Sequence, residues 1–170
     1  MHSEPSPWRL QARNAFDQLF LHDCVISAFA LEDGDLVLSL DEGFQALAGT
    51  ACNPGGKTVR TGPAQLRFRS VMTLPGLDCQ RELCLFGHTC LLLWEKAAPG
   101  AILRLMRAGR LSLKVLDMHT AGASLVLSGA VLQPWRRFGL NRRFFYWAVY
   151  GRPPLTVDSF WNDLQPDPVA

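Results

Sequence analysis

Val25-Ile26-Ser27-Ala28-Phe29-Ala30-Leu31-Glu32-Asp33-Gly34-Asp35-Leu36-Val37-Leu38-Ser39-Leu40 decides the fold class. Val25, Ser27, Phe29 and Leu31 alternate on one side of an extended chain, and Leu36, Leu38 and Leu40 alternate against Asp35 and Ser39. A period of two belongs to a half-buried strand. Asp33-Gly34 between the two runs supplies the positive backbone angles of a tight turn, so the stretch predicts a β-hairpin.

Upstream, Ser6 precedes Pro7, and apolar residues recur at Trp8, Ala12, Ala15, Phe16, Leu19 and Phe20. An N-cap, a proline at the first helical position and a 3.6-residue period predict an amphipathic helix. Downstream, residues 43–63 hold five glycines and two prolines, which predicts a long, mobile surface loop with at most a short edge strand. Leu66, Phe68 and Met72 alternate with Arg67, Arg69 and Thr73, a strand with one wet face. Leu83 to Trp94 reads as one strand buried on both faces.

Pro99 to Gly109 predicts a short helix through Ile102, Leu105 and Met106. Leu111–Met118 and Leu125–Leu132 predict a second hairpin around His119–Ala123, and Asp158 is placed to cap a short final helix before Pro166. The expectation is one α+β domain over 1–170, an N-terminal helix packed on a mostly antiparallel sheet of about six strands. A chain of 170 residues is long enough for a core without staples.

Hydrophobic residues make up 48% of the chain and charged residues 19%, the balance of a folded protein rather than a disordered tail. The start of the chain carries Glu4, Arg9, Arg13 and Asp17 and no apolar run before a cleavage site, and no apolar run reaches the roughly 18 residues of a membrane span. Five cysteines, Cys24, Cys52, Cys79, Cys84 and Cys90, form no CxxC pair and read as buried free thiols in a reducing compartment. A cytoplasmic location is the expectation.

Net charge is +2, but unevenly spread. Residues 1–95 hold seven basic and eleven acidic side chains, whereas residues 96–157 hold ten basic ones against Asp117 alone. Such a basic segment points to an acidic or anionic partner.

Four strings carry residue types with chemical potential. Ala51-Cys52-Asn53-Pro54-Gly55-Gly56-Lys57-Thr58 matches a degenerate phosphate loop, with Lys57 and Thr58 in the nucleotide-contacting places. That mechanism needs a buried strand before the loop and a helix after it, and Gly62-Pro63 stops any helix. Cys79, Cys84, His88 and Cys90 have zinc-ligand chemistry but not the spacing of a closed site, and a strand spreads every second residue about 6.6 Å apart. His22-Asp23-Cys24 has a base, an acid and a nucleophile in adjacent positions, which is not how a triad converges. No catalytic residue, metal or cofactor is assigned.

The fourth string runs from Trp135 to Arg152 and carries five arginines, seven aromatic residues and no acid. Arginine beside Trp and Tyr is the composition of an interface hot spot, and also of a surface that grips phosphates and stacks bases. The candidate binding residues are Trp135, Arg136, Arg137, Arg142, Arg143, Phe145, Trp147 and Arg152. Three partners fit: a protein with an acidic face, a nucleic acid or an anionic membrane surface. The alternative in which these rings fill the core leaves only the arginines outside.

Phe20-Leu21-His22-Asp23-Cys24-Val25-Ile26, followed by Asp33-Gly34-Asp35-Leu36-Val37-Leu38, resembles the opening of small bacterial proteins of uncharacterised or immunity type. The resemblance spans about 20 of the 170 residues. It implies a β-rich accessory protein that works by binding, such as an immunity protein that neutralises a toxin, and it brings no catalytic residues.

Overall fold

A computed structural model describes residues 8–73, 76–85, 88–132, 141–153 and 155–165. Its strands are β1 (Leu10–Ala12), β2 (Leu19–Phe20), β3 (Val25–Glu32), β4 (Asp35–Leu40), β5 (Gln45–Ala46), β6 (Val59–Arg60), β7 (Ala64–Phe68), β8 (Val71–Thr73), β9 (Leu77–Leu85), β10 (His88–Ala97), β11 (Ser112–Ala121), β12 (Ser124–Leu132), β13 (Asn141–Gly151) and β14 (Val157–Trp161), with one helix, α1 (Pro99–Arg107). Eleven strands form an antiparallel sheet in the order β1-β14-β7-β4-β3-β11-β12-β13-β9-β10, with β8 added beside β13. A small second sheet has the order β2-β5-β6.

The large sheet turns back on itself. β3 meets β11 through only two register pairs, Leu113 with Ile26 and Lys114 with Val25, which makes a corner there. β7 passes through Arg69 and Ser70 into β8, which pairs with β13 and closes the ring. Ser70 takes a left-handed φ of 55°, the bend that this step needs. Inside, Phe29 of β3 packs edge-on against Trp147 of β13, ring centroids 5.0 Å apart.

The decisive hairpin forms as read: Glu32 pairs with Asp35, and Asp33 and Gly34 sit at φ 51° and 82°. A register shift between Ile26 and Ala28 inserts a bulge, so Ile26 and Phe29 face the core while Leu31 is exposed. The second hairpin also forms, with longer arms: Ala121 pairs with Ser124 across Gly122-Ala123, so His119 and Thr120 belong to β11 rather than to the turn. Helix α1 starts at Pro99 and buries Ile102 and Met106.

The N-terminal helix is not there, and the fold is not a helix on a six-stranded sheet. Leu10–Ala12 instead pairs with Ser159–Trp161, and Asn14, left-handed at φ 51°, sends the chain through a single 3-10 turn at Ala15–Asp17. Ala12, Ala15 and Leu19 are buried all the same, so the apolar spacing is satisfied by strand, turn and strand. Asp158 caps no helix; it lies in β14, buried against Arg69. Leu83 to Trp94 is two strands rather than one, the end of β9 and most of β10, and Leu92, Leu93 and Trp94 are exposed.

The glycine-rich stretch is held down more than its composition suggests. Phe44, Ala46, Cys52, Asn53 and Thr61 are buried. Thr61 Oγ1 accepts from the Phe44 N–H at 3.0 Å and donates to the Gly62 carbonyl at 2.9 Å.

Candidate interaction surface

β13 carries the aromatic half of the string that the sequence singled out, and its pleat sorts the rings. Phe145, Trp147 and Val149 point inward and are essentially inaccessible. Tyr146 and Tyr150, between them, are 45% and 48% exposed. Phe145 and Trp147 therefore have no face to offer a base or a partner, and their role is in the core.

The remaining candidates are scattered. Trp135, Arg136 and Arg137 lie outside the described residues. Arg142 and Arg143 lie on β13, paired in backbone register with Glu82 and Arg81. Arg152 follows the strand, exposed; its N–H donates to the Ser70 carbonyl at 3.1 Å, and it borders an open cleft of about 410 Å³ with Asp33, Gly34, Ser70, Val71 and Met72.

What the sequence reading missed lies across the sheet from these residues. Cross-strand partners in an antiparallel sheet share a face. One row therefore runs Asp117, Ser128, Tyr146, Asp78, Lys96, and the next runs Lys114, Ala130, Phe144, Gln80, Trp94. Trp94, 62% exposed, sits beside Tyr146 with ring centroids 6.0 Å apart and planes at 33°. Leu92, 45% exposed, continues the apolar surface towards the sheet edge. Lys96 Nζ lies 3.8 Å from Asp78 Oδ1, and His119 Nε2 lies 2.8 Å from Asp117 Oδ2 at the rim. The period-two alternation at 144–150 was the signal that could have found Tyr146 and Tyr150.

The other strings lose their chemistry on inspection. In the glycine-rich loop, Asn53 Oδ1 accepts the Gly55 N–H at 3.0 Å, while Asn53 Nδ2 donates to the carbonyls of Ala46 and Lys57. The chain then enters β6, so no helix N-terminus faces the loop and the strand-helix context of a phosphate site is missing. Among the described residues no cluster of three or more His, Cys, Asp or Glu could hold a metal ion. Cys79 pairs in register with Glu95 and Cys84 with Thr89, well separated along the β9–β10 hairpin.

At His22-Asp23-Cys24, Asp23 is left-handed at φ 63° and its N–H donates to the Val115 carbonyl at 2.8 Å. Lys114 Nζ lies 2.8 Å from Asp23 Oδ1 and, through that hydrogen bond, holds the carboxyl below its usual range. His22 donates from Nδ1 to the Leu116 carbonyl at 2.6 Å. Burial pushes the Cys24 thiol up to about 11, so it is a protonated core group at neutral pH rather than a nucleophile. His22 Nε2 lies 3.6 Å from Asp23 Oδ2 on the surface, while Cys24 is buried in the core, so the three do not form a triad.

The chain matches no family model, and neither a curated protein nor a solved structure resembles it closely enough to count as a match. Among the described residues no helix is long and apolar enough to cross a membrane.

Proposed function

We propose that this is a non-enzymatic binding protein of accessory or immunity type, which docks a protein partner with an acidic face on the outer face of β13, β9 and β10. The observation that carries the reading is the exposed Trp94–Tyr146 pair on a rigid sheet. Large rings held on regular backbone bring contact area at low entropic cost, and Trp, Tyr and Arg dominate interface hot spots. Contiguous exposed apolar surface on a folded domain marks an interaction site more often than a scattered leucine does. The 96–157 segment, to which β13 belongs, holds ten basic residues to one acid, which favours an acidic partner.

Nucleic acid is the weaker fit. Phe145 and Trp147, two of the rings that base stacking would have used, are buried.

Proximity cross-linking in the source cell, with wild type and a Trp94→Ser, Tyr146→Ser double variant, tests the reading. A partner protein recovered with the wild type and lost with the folded variant is the expected result. Equal recovery by both overturns it. Binding to oligonucleotides at low salt that fades steeply as salt rises would transfer the surface to nucleic acid.

A further inference from the structure

We propose that the chain forms a two-fold homodimer by antiparallel pairing of β10 with β10 of a second copy. β10 ends the large sheet: β9 lies on one side, and among the described residues no strand lies on the other. A sheet edge presents a row of unpaired N–H and C=O groups, and proteins that stay monomeric blunt such edges with short strands, prolines, inward charges or bulges. The opposite edge, β1, obeys this rule with three residues. β10 does not. It is ten residues long, contains no proline, and departs from regular pairing only between Thr89 and Leu91.

The side chains at this edge agree with its backbone. Leu92, Leu93 and Trp94 are 45%, 42% and 62% exposed. Consecutive strand residues point to opposite faces, so the edge is apolar and uncovered on both sides at once. A ligand lying on one face would meet only one of the two rows; an added strand with apolar residues on both faces flanks both rows along the edge and leaves the outward side of Trp94 open.

Symmetry selects a register. A two-fold axis normal to the sheet sets residues of the same face opposite each other. With Leu93 on the axis, Leu92 meets Trp94 of the partner subunit on the outer face, and Leu93 meets its own copy on the inner face. Glu95 then stands opposite Leu91 and Lys96 opposite Cys90, so no like charges meet. Moving the axis to Trp94 would instead press Lys96 onto Leu92 and Glu95 onto Leu93. The net charge of +2 per chain offers little long-range repulsion to association.

The dimer stands on the strand edge and not on the docking role of the Trp94–Tyr146 face, and its test separates the two. Leu93 lies on the face opposite Trp94, and being exposed it can be changed without opening the core. Sedimentation velocity of the full chain from about 1 to 100 µM should show the dimer mass. Leu93→Lys, which sets two ammonium groups together at the axis, should weaken association by at least about 100-fold with an unchanged circular dichroism spectrum. An equimolar mixture of Leu93→Lys and Leu93→Glu should recover a mixed dimer. A wild-type chain that stays monomeric across the range overturns the proposal, even if it captures an extended peptide from another protein. A Leu93→Lys chain that remains dimeric, or folded charge variants that fail to reassociate when mixed, overturns it as well.

Discussion

Arg69 donates twice to Asp158 Oδ2, from Nε at 3.0 Å and from Nη2 at 2.7 Å, and ties the corner after β7 to the C-terminal strand β14. Its Nη1 donates to Asp35 Oδ2 at 2.9 Å, while the Ser70 N–H donates to Asp35 Oδ1 at 2.9 Å. One guanidinium thus joins β4, β7 and β14 where the sheet turns into β8. The hydrogen bonding to Asp158 is the main reason that the Arg69 pKa lies above its ordinary value.

Removing this guanidinium leaves Asp158, 10% exposed at its side chain, without its cation, and leaves Asp35 with Arg67 alone among the described residues, whose Nη1 lies 3.7 Å from Asp35 Oδ2. Arg69 itself is 43% exposed at its side chain, which admits water and moderates the loss. Arg69→Met should cost about 2 kcal/mol, or roughly 4–8 °C in melting temperature for a chain of this size. Urea unfolding at neutral pH checks it. The gap to wild type should narrow in acid, because stranded carboxylates relieve themselves by protonation.

Gly129 is the residue that lets β12 pass the bulge of β11. It pairs with Val115 on one side and Phe145 on the other. A Cβ there would run into the Lys114 carbonyl oxygen and come within 2.9 Å of the Leu116 nitrogen, both backbone atoms that cannot swing away. Gly129→Ala should therefore destabilise by about 1–3 kcal/mol or more, although alanine is the better strand former. Gly34→Ala, with nothing within 4 Å, would suffer only from its φ of 82°.

How much of this was legible in the sequence follows from where period and turn signals coincide. Asp33-Gly34 and the Leu111–Leu132 region carried both, and their hairpins formed. Trp8 to Phe20 carried a helical period, but Asn14 prefers the left-handed turn and β14 offered β1 a pairing edge, so tertiary pairing overrode spacing. β9 was invisible over Asp78 and Gln80 because polar residues on an outer face look like loop. Tyr146 and Trp94 could not be joined by any local rule, since β13 and β10 meet only through β9.

Burial raises the pKa of both the Cys24 and the Cys52 thiols, and Cys24 is the deeper of the two. Its pKa of about 11 stands above the ordinary 9.0 because burial disfavours the thiolate. A raised folded-state pKa leaves stability intact below the unfolded value and erodes it as pH climbs through the folded one. Wild type should lose up to about 2–3 kcal/mol between pH 9 and 11 from this group, and Cys24→Ala should flatten that decline. Urea midpoints at pH 8, 9.5 and 11 for both chains read it out. Iodoacetamide mapped by peptide mass should leave Cys24 unmodified in the folded protein at pH 8.

Adjacent residues on β13 should answer mutation in opposite ways. Trp147 is 1% exposed and packs on Phe29, while Tyr146 is 45% exposed and packs on the outward Trp94. Trp147→Ala opens a cavity between β3 and β13 and should cost about 3–5 kcal/mol, enough to unfold a marginal domain. Trp147→Phe should cost far less than the alanine change, because it keeps most of the ring and removes an indole N–H that has no hydrogen-bond partner among the described residues. Tyr146→Ala should stay within about 0.5 kcal/mol of wild type in urea unfolding, the usual range for a surface change. If the outer face is a docking surface, Tyr146→Ala should nevertheless weaken partner binding by at least about tenfold, as loss of a hot-spot ring does. A Tyr146→Ala chain as unstable as Trp147→Ala would show that the ring works for the fold, and the surface would lose its main anchor.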